Sequence, residues 1–188
     1  MTQNNLEEKL EKIKAVAFDG DGVFFSGRVF VDSEKGEVIK ERSHIDGQGI
    51  SLLRAVGIKV AIISSEKTGF LEKIGEKLNN LPSVRDGKWD KIAIFTGPQG
   101  SQKVETLDVW LKENNLEWEE LAVMGDDLAD YQMLQKAGFA VVPSQGEEVV
   151  RAIADYVAPR KGGDGAIRDL CNLILKAKKI DPTSLTLR

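Results

Sequence analysis

Short runs of β-branched and aliphatic residues alternate with helix-period patterns along most of the 188-residue chain, and this alternation constrains the fold more than any other feature. The runs at residues 15–18, 58–63, 92–95, 121–124 and 139–142 are almost wholly apolar, as strands buried on both faces must be. Residues 4–13, 47–56, 67–78, 101–112, 128–136, 147–153 and 166–178 read as helices; in the third of these Phe70, Leu71, Ile74 and Leu78 share one face. Strands and helices in such alternation predict an α/β fold, a doubly wound parallel sheet with helices on both faces. Two further segments, 27–31 and 37–42, flank a turn at 32–36 and read as a β-hairpin. The stretch 79–100 is punctuated by Pro82, Gly87, Gly97, Pro98 and Gly100 and reads as irregular around its one strand. The expected organisation is a single domain over 1–188, with a core at 14–178, the hairpin at 27–42 and a tail at 179–188.

Composition narrows the chemistry. The formal charge is −4 and no basic run of five residues occurs, which argues against a nucleic-acid partner. One cysteine, Cys171, excludes a disulfide framework and a cysteine-rich zinc site. One histidine, His44, excludes a multi-histidine metal site and argues against a Ser-His-Asp triad. Residues 1–10 are polar and acidic, unlike a targeting segment, and apolar runs such as 60–63 fall far short of the ~20 residues that cross a bilayer. The expected setting is the cytoplasm, with no membrane partner. Carboxylates remain as the chemical tools.

In a doubly wound sheet ligands sit at the carboxyl ends of the strands. After the first strand comes Asp19-Gly20-Asp21-Gly22; after the second, Ser64-Ser65-Glu66-Lys67. Lys103 stands at a helix start, and Gly125-Asp126-Asp127 follows a later strand, with Asp130 three residues on. Asp19, Asp21 and Asp126 at one sheet edge would repel if all were ionised. A hard divalent cation relieves that repulsion, and a few oxygen ligands favour Mg²⁺. The cation, the Ser64 hydroxyl and the Lys103 ammonium can each hold a phosphoryl oxygen. Asp19 is then placed to attack phosphorus, and Asp21 to move the proton. A helix N-terminus near Asp21 and Gly22 is expected to add N–H donors. Singly, each element has an ordinary explanation as a turn, a cap or a surface charge. The ordered set carries the reading.

That set resembles the haloacid dehalogenase superfamily of aspartate-nucleophile phosphatases, whose pattern is DxDG, then Ser/Thr, then Lys, then GD(D)xxD. Over most of residues 14–175 the run FDGDGVFFSGRVFVDSEKGE, the phrase Asp46-Gly47-Gln48-Gly49-Ile50 and the segment KGGDGAIR at 161–168 look like the capless sugar-acid phosphatases. That subgroup includes 3-deoxy-manno-octulosonate 8-phosphate phosphatases, nine-carbon ketoacid 9-phosphate phosphatases and the C-terminal domain of vertebrate CMP-sialate synthetases. The resemblance implies a HAD-like, Rossmannoid sheet with a β-hairpin insertion after the first strand and no cap domain. It implies a Mg²⁺-dependent phosphomonoesterase whose partner is a small phosphate ester, an eight- or nine-carbon 2-keto-3-deoxy acid phosphate, cleaved through an aspartyl-phosphate. It also implies a homotetramer built by the hairpin. By the same resemblance Asp19, Asp21, Ser64 and Lys103 are catalytic, and Asp19, Asp21 and Asp126 hold the metal. Asp127 and Asp130 support them, and Glu66, Lys67, Asp46, Gly47 and Arg168 bind substrate. Spacing agrees on the missing cap: 42 residues separate Asp21 from Ser64 and 22 separate Lys103 from Asp126, too few for a further domain. A neighbouring subunit would then have to close the site.

The chain also departs from the pattern. Octulosonate phosphatases carry Thr-Gly-Arg after the second strand and an Arg before the Asp-Gly phrase; here stand Ser64-Ser65-Glu66 and Ile45. Losing two bidentate arginines weakens recognition of a substrate carboxylate. Glu66-Lys67-Thr68 looks instead like the nine-carbon enzymes, which makes Glu66 a specificity candidate, unless it only begins the next helix and favours its dipole. Arg85, Lys88, Trp89 and Lys91 could meet substrate or a subunit, or be plain surface. Gly162, Gly163 and Gly165 with Arg168 suggest an anion-holding backbone nest, or else a helix cap. Two competitors stay in view: a non-catalytic oligomerisation module, in whose relatives the carboxylate set looks degraded, and a dehalogenase, which needs neither Asp21 nor a metal.

Overall fold

The structure, a computed structural model, describes residues 3–185. Its centre is a six-stranded sheet formed by β1 (Ala15–Asp19), β4 (Lys59–Ser64), β5 (Ala93–Thr96), β6 (Leu121–Met124), β7 (Phe139–Val142) and β8 (Tyr156–Val157). The order is β5-β4-β1-β6-β7-β8 and every pairing is parallel. The chain builds outward from β1 on one side, then returns to build outward on the other. The reversal falls between β1 and β6, where the helices on the two faces diverge and leave a crevice at the strand ends.

Alternation along β1 explains the two cores. Val16 and Phe18 face one layer, with α1 (Gln3–Lys12), α2 (His44–Ala55), α3 (Phe70–Asn79) and α8 (Ala166–Ala177) packed on it. Ala15 and Ala17 face the other, covered by α5 (Ser101–Glu113), α6 (Tyr131–Lys136) and α7 (Glu148–Arg151). No residue of β1, β6 or β7 is exposed, which is why these strands read as continuous apolar runs.

The hairpin, β2 (Val29–Asp32) and β3 (Gly36–Lys40), forms a separate two-stranded sheet. Its turn is fixed by Asp32, whose Oδ1 accepts from the N–H groups of Glu34 and Lys35. The segment between Asp21 and Ser64 is filled by this hairpin and α2, and that between Lys103 and Asp126 by α5, a 3-10 turn at Trp118–Glu120 and β6. Neither holds a cap.

The structure also departs from the sequence reading. The helix expected from 67 begins only at Phe70, because Gly69 precedes it in a left-handed conformation (φ 82°). The helix expected from 128 starts as a 3-10 turn, Leu128–Asp130. β8, two residues long, has no period to detect. The stretch 79–100 is less irregular than its punctuation suggests: it contains the one-turn helix α4 (Pro82–Arg85) and is tied to the core at two points. Asn79 pairs with the backbone of Ile92 in both directions (2.9 and 2.8 Å). Buried Arg54 donates to the carbonyls of Leu78 (3.1 Å) and Asp90 (2.6 and 3.0 Å) and lies over the Trp89 ring. Trp89 is thus spent on packing. Of the predicted tail, Pro182–Ser184 form a 3-10 turn capped by Asp181, and residues 186–188 lie outside the described residues.

Arg54→Met keeps the bulk of the side chain but strips the buried Leu78 carbonyl and the part-buried Asp90 carbonyl of their donors. It should destabilise the fold by about 3 kcal/mol. Urea denaturation measures this; an unchanged midpoint contradicts the clamp.

Candidate active site

β1 delivers Asp19 to the crevice, and the chain then folds back on itself. Gly20 N–H donates to Ile63 O (3.0 Å), Gly22 N–H to Phe25 O (3.0 Å) and Phe25 N–H to Gly20 O (2.8 Å). This closed loop replaces the helix start expected near Asp21 and Gly22. Both glycines are required by close approach: a Cβ on Gly20 would lie 2.5 Å from Ser64 Cβ, and one on Gly22 (φ 89°) 1.9 Å from Asp126 Oδ2.

Lys103 enters from the first turn of α5 and is 2% exposed. Its Nζ lies 2.5 Å from Asp19 Oδ1 and 2.6 Å from Asp130 Oδ1. Asp130 Oδ2 accepts from the N–H groups of Asp126 (2.9 Å) and Asp127 (3.4 Å), and Asp127 caps the turn through Leu128 N–H (2.6 Å). Asp130 therefore fixes both Lys103 and the loop after β6. Ser64, at the end of β4, donates to Asp21 Oδ2 (3.2 Å) and accepts from Glu66 N–H (3.1 Å). Asp19, Asp21, Ser64, Glu66, Lys103 and Asp126 line one cavity of about 170 Å³, with Asp127 and Asp130 in its wall. That is below the ~300–1,000 Å³ of a pocket that encloses a whole small ligand. A charged head group enters; the rest of a ligand stays outside.

Carboxylate oxygens of Asp19, Asp126 and Asp130 lie within 4.8 Å of one another. Burial, then the Asp130 charge, pushes the Asp19 carboxyl well above the usual range, against the pull of Lys103. Asp126 is pushed up to about 7 by burial, then by Asp130 and Asp127. Burial alone would lower the Lys103 ammonium, but Asp19 and Asp130 outweigh it and raise it. One lysine among three carboxylates leaves surplus negative charge in a hard-oxygen cluster, a donor set that fits a divalent cation of the Mg²⁺ type. Both oxygens of Asp130 are already engaged, so Asp19 and Asp126 are the side chains free to ligate. The Asp21 carboxylate, expected to join them, is taken by Ser64 and by Lys40.

The assembly of an aspartate-ended β1, a Ser-ended β4, a helix-start lysine and a GDD turn at one switch point coincides with a match of residues 8–169 to the family model for haloacid dehalogenase-like hydrolases. The chain belongs to that family. Within the family it is 32% identical over 174 residues to the 3-deoxy-D-manno-octulosonate 8-phosphate phosphatase KdsC of Escherichia coli K12, covering 92% of this chain and 85% of that one. Among solved structures it resembles the same-named phosphatase of Moraxella catarrhalis, described in complex with magnesium, phosphate and KDO. There the TM-score is 0.82 with 31% identity, over 95% of this chain and 94% of that one. The Yersinia pestis phosphatase gives a TM-score of 0.84 with 27% identity, over 98% and 92%.

Several predicted substrate contacts are not brought to the cavity. Asp46 is buried and its two oxygens accept from the N–H groups of Gly165 and Arg168 (both 3.0 Å), joining α2 to the start of α8. Arg168 donates its side chain to Asn172, and Gly47 lies against Arg42. The Asp-Gly phrase and Arg168 thus form a helix junction. The expected anion nest is likewise spent: Gly162 N–H goes to Gln145, Gly163 N–H to Val23 and Gly165 N–H to Asp46. Lys67 is exposed and runs beside Gly97. Glu66, by contrast, sits in the loop before α3 at the cavity wall and begins no helix. Cys171 is fully buried, its thiol pushed up by that burial.

Two residues were missed. Gln145 donates to Gly22 O (2.7 Å) and accepts from Gly162 N–H (2.9 Å), bracing the Asp19–Gly22 loop. Lys40 donates to Asp21 Oδ1 (2.7 Å). Burial alone would lower the Lys40 ammonium, but the hydrogen bonds and charges of Asp21 and Glu37 raise it above its ordinary range. The only signal for Lys40 was its place at the inner end of the hairpin.

The Asp126 carboxyl, raised above its unfolded value near 4, binds its proton more tightly in the folded chain. Its contribution to stability is full below about pH 4 and is lost as pH rises through about 7. Without a divalent cation, Asp126→Asn should therefore melt above the unaltered protein at pH 8, and the gap should narrow markedly at pH 5. Thermal melts showing the same gap at both pH values contradict this.

Proposed function

We propose that the protein is a Mg²⁺-dependent phosphomonoesterase that works through an aspartyl-phosphate on Asp19. The observation that carries this is Asp19 itself: a buried carboxylate at the switch point, with one oxygen held by Lys103 and Asp126 within ligating distance. Asp19 and Asp126 would hold Mg²⁺, which would supply neutralisation of the phosphoryl charge. Asp19 attacks phosphorus, a P–O bond to Asp19 forms, and the bond to the leaving oxygen breaks. Lys103 steers the incoming oxygens by charge, and the Ser64 hydroxyl offers a donor to them. Asp21 protonates the departing alkoxide, then takes a proton from the water that attacks the phosphoenzyme, which frees phosphate and restores Asp19.

The substrate we infer is a phosphorylated sugar acid, an eight- or nine-carbon 2-keto-3-deoxy acid. The magnesium, phosphate and KDO complex of the Moraxella relative supports the class. Glu66 at the cavity wall, an acceptor for sugar hydroxyls, and Ile45 in place of an arginine favour the nine-carbon members. A phosphatase of another small ester would use the same machinery. The intact set of Asp19, Asp21, Ser64, Lys103 and Asp126 disfavours an oligomerisation module without activity. Phe30 and Val31, 66% and 68% exposed on the hairpin, support assembly through this face, and we infer the homotetramer. Among the described residues no helix is long and apolar enough to cross a membrane.

Asp19→Asn should abolish Mg²⁺-dependent turnover across a panel of eight- and nine-carbon ketoacid phosphates and common sugar phosphates, while the fold, read by circular dichroism, and the assembly size are retained. Retained turnover in that variant overturns the nucleophile assignment.

A further inference from the structure

We propose that Lys40, from the hairpin, is a positioning residue that aims the Asp21 carboxylate during proton transfer. The proposal rests on the phosphatase reading and adds the means by which its proton carrier is held. Asp21 lies in a loop with its side chain 30% exposed, and its other partner, the Ser64 hydroxyl on Oδ2 (3.2 Å), is the group that must turn to a phosphoryl oxygen during the reaction. Lys40 supplies the fixed partner, on Oδ1 at 2.7 Å.

The hairpin is shaped to do this. Its outer residues are exposed, yet the Lys40 side chain is only 3% exposed, and lysine is almost never so buried unless paired. The ammonium sits 5.8 Å from the ring centres of both Phe25 and Phe70, a low-dielectric slot that strengthens its ion pair. Strict strand alternation would turn Glu37 and Lys40 to opposite faces. The register forbids that: Phe30 pairs with Ile39 and Val31 with Glu37, so Val38 is an extra residue, a bulge. The bulge brings Glu37 and Lys40 together, with Lys40 Nζ 3.3 Å from Glu37 Oε2. Bulges commonly re-aim a side chain beside an active site. Ser26 N–H donating to Glu41 O (2.9 Å) pins the end of β3 to the loop that carries Asp21.

Lys40 also stands between two cavities. With Arg42, Thr68 and Phe70 it lines a groove of about 930 Å³, and its ammonium reaches Asp21, which lines the 170 Å³ cavity. With Oδ1 fixed by Lys40, and with the Ser64 hydroxyl turned from Oδ2 to a phosphoryl oxygen, Oδ2 is the oxygen that gives its proton to the leaving alkoxide as the P–O bond breaks. The same oxygen later takes a proton from the attacking water. Lys40 keeps its own protons throughout.

Leaving-group dependence separates this role from a structural one. The Mg²⁺-loaded full-length protein is assayed on an alkyl phosphate that it turns over and on p-nitrophenyl phosphate, whose leaving group needs little protonation. Lys40→Met should lose roughly 10–10²-fold in kcat on the alkyl ester and at most about 3-fold on the aryl ester, in the same direction as Asp21→Asn. Lys40→Arg should restore the alkyl-to-aryl ratio. Equal losses on both esters, or no loss, overturn the assignment. Should Lys40→Met not fold, Lys40→Arg decides: a ratio near that of the unaltered protein supports it, and one as low as in Asp21→Asn overturns it. Failure of the unaltered protein to cleave either ester is a different result; it removes the phosphatase reading and, with it, the reaction that Lys40 serves.

Discussion

The site depends on one buried ion cluster, Lys103 between Asp19 and Asp130. A lysine this enclosed, left without its carboxylates, would cost roughly 3–5 kcal/mol, so the cluster holds the ends of β1, α5 and the loop after β6 in mutual register. The same enclosure makes the charge imbalance matter. Asp19 and Asp126 are driven upward in pKa because burial and their neighbours oppose ionisation and a single lysine cannot compensate. A divalent cation held by Asp19 and Asp126 would supply the missing positive charge, and an anionic phosphoryl group would then be accepted beside it.

Around this cluster the loop after β1 is held by small residues and by remote partners. Gly20 and Gly22 let Ser64 and Asp126 approach more closely than any side chain would allow. Gln145 and Lys40 brace the loop from opposite sides, one from the β7 end of the sheet and one from the hairpin. In the proposed function the small cavity and the absent cap leave most of a substrate beyond the cluster, and Glu66 at the cavity wall is the residue proposed to meet it.

The fold was legible where burial is two-sided. β1, β6 and β7 are apolar at nearly every position because helices cover both faces, and such runs have no other soluble explanation. Asp19, Ser64, Lys103 and Asp126 were legible because strand ends and helix starts are local signals, and the sheet order converts them into neighbours. Asp46 and Arg168 misled for a physical reason: a carboxylate that receives two helix N–H groups has the same sequence as one that receives a substrate. The glycines of 162–165 misled likewise, since a nest and a spent turn differ only in who accepts their N–H groups. Lys40 was illegible because its orientation depends on a one-residue bulge, and β8 because two residues carry no period.

Covalent phosphorylation of Asp19 can be read out by trapping. Protein turning over substrate is acid-quenched, reduced with borohydride and digested, and the peptide carrying Asp19 is sequenced by mass spectrometry. An acyl phosphate there is reduced to homoserine, so homoserine is expected at position 19 and nowhere else. Unmodified Asp19 in a turning-over sample, or homoserine at Asp21 or Asp126 instead, would contradict it.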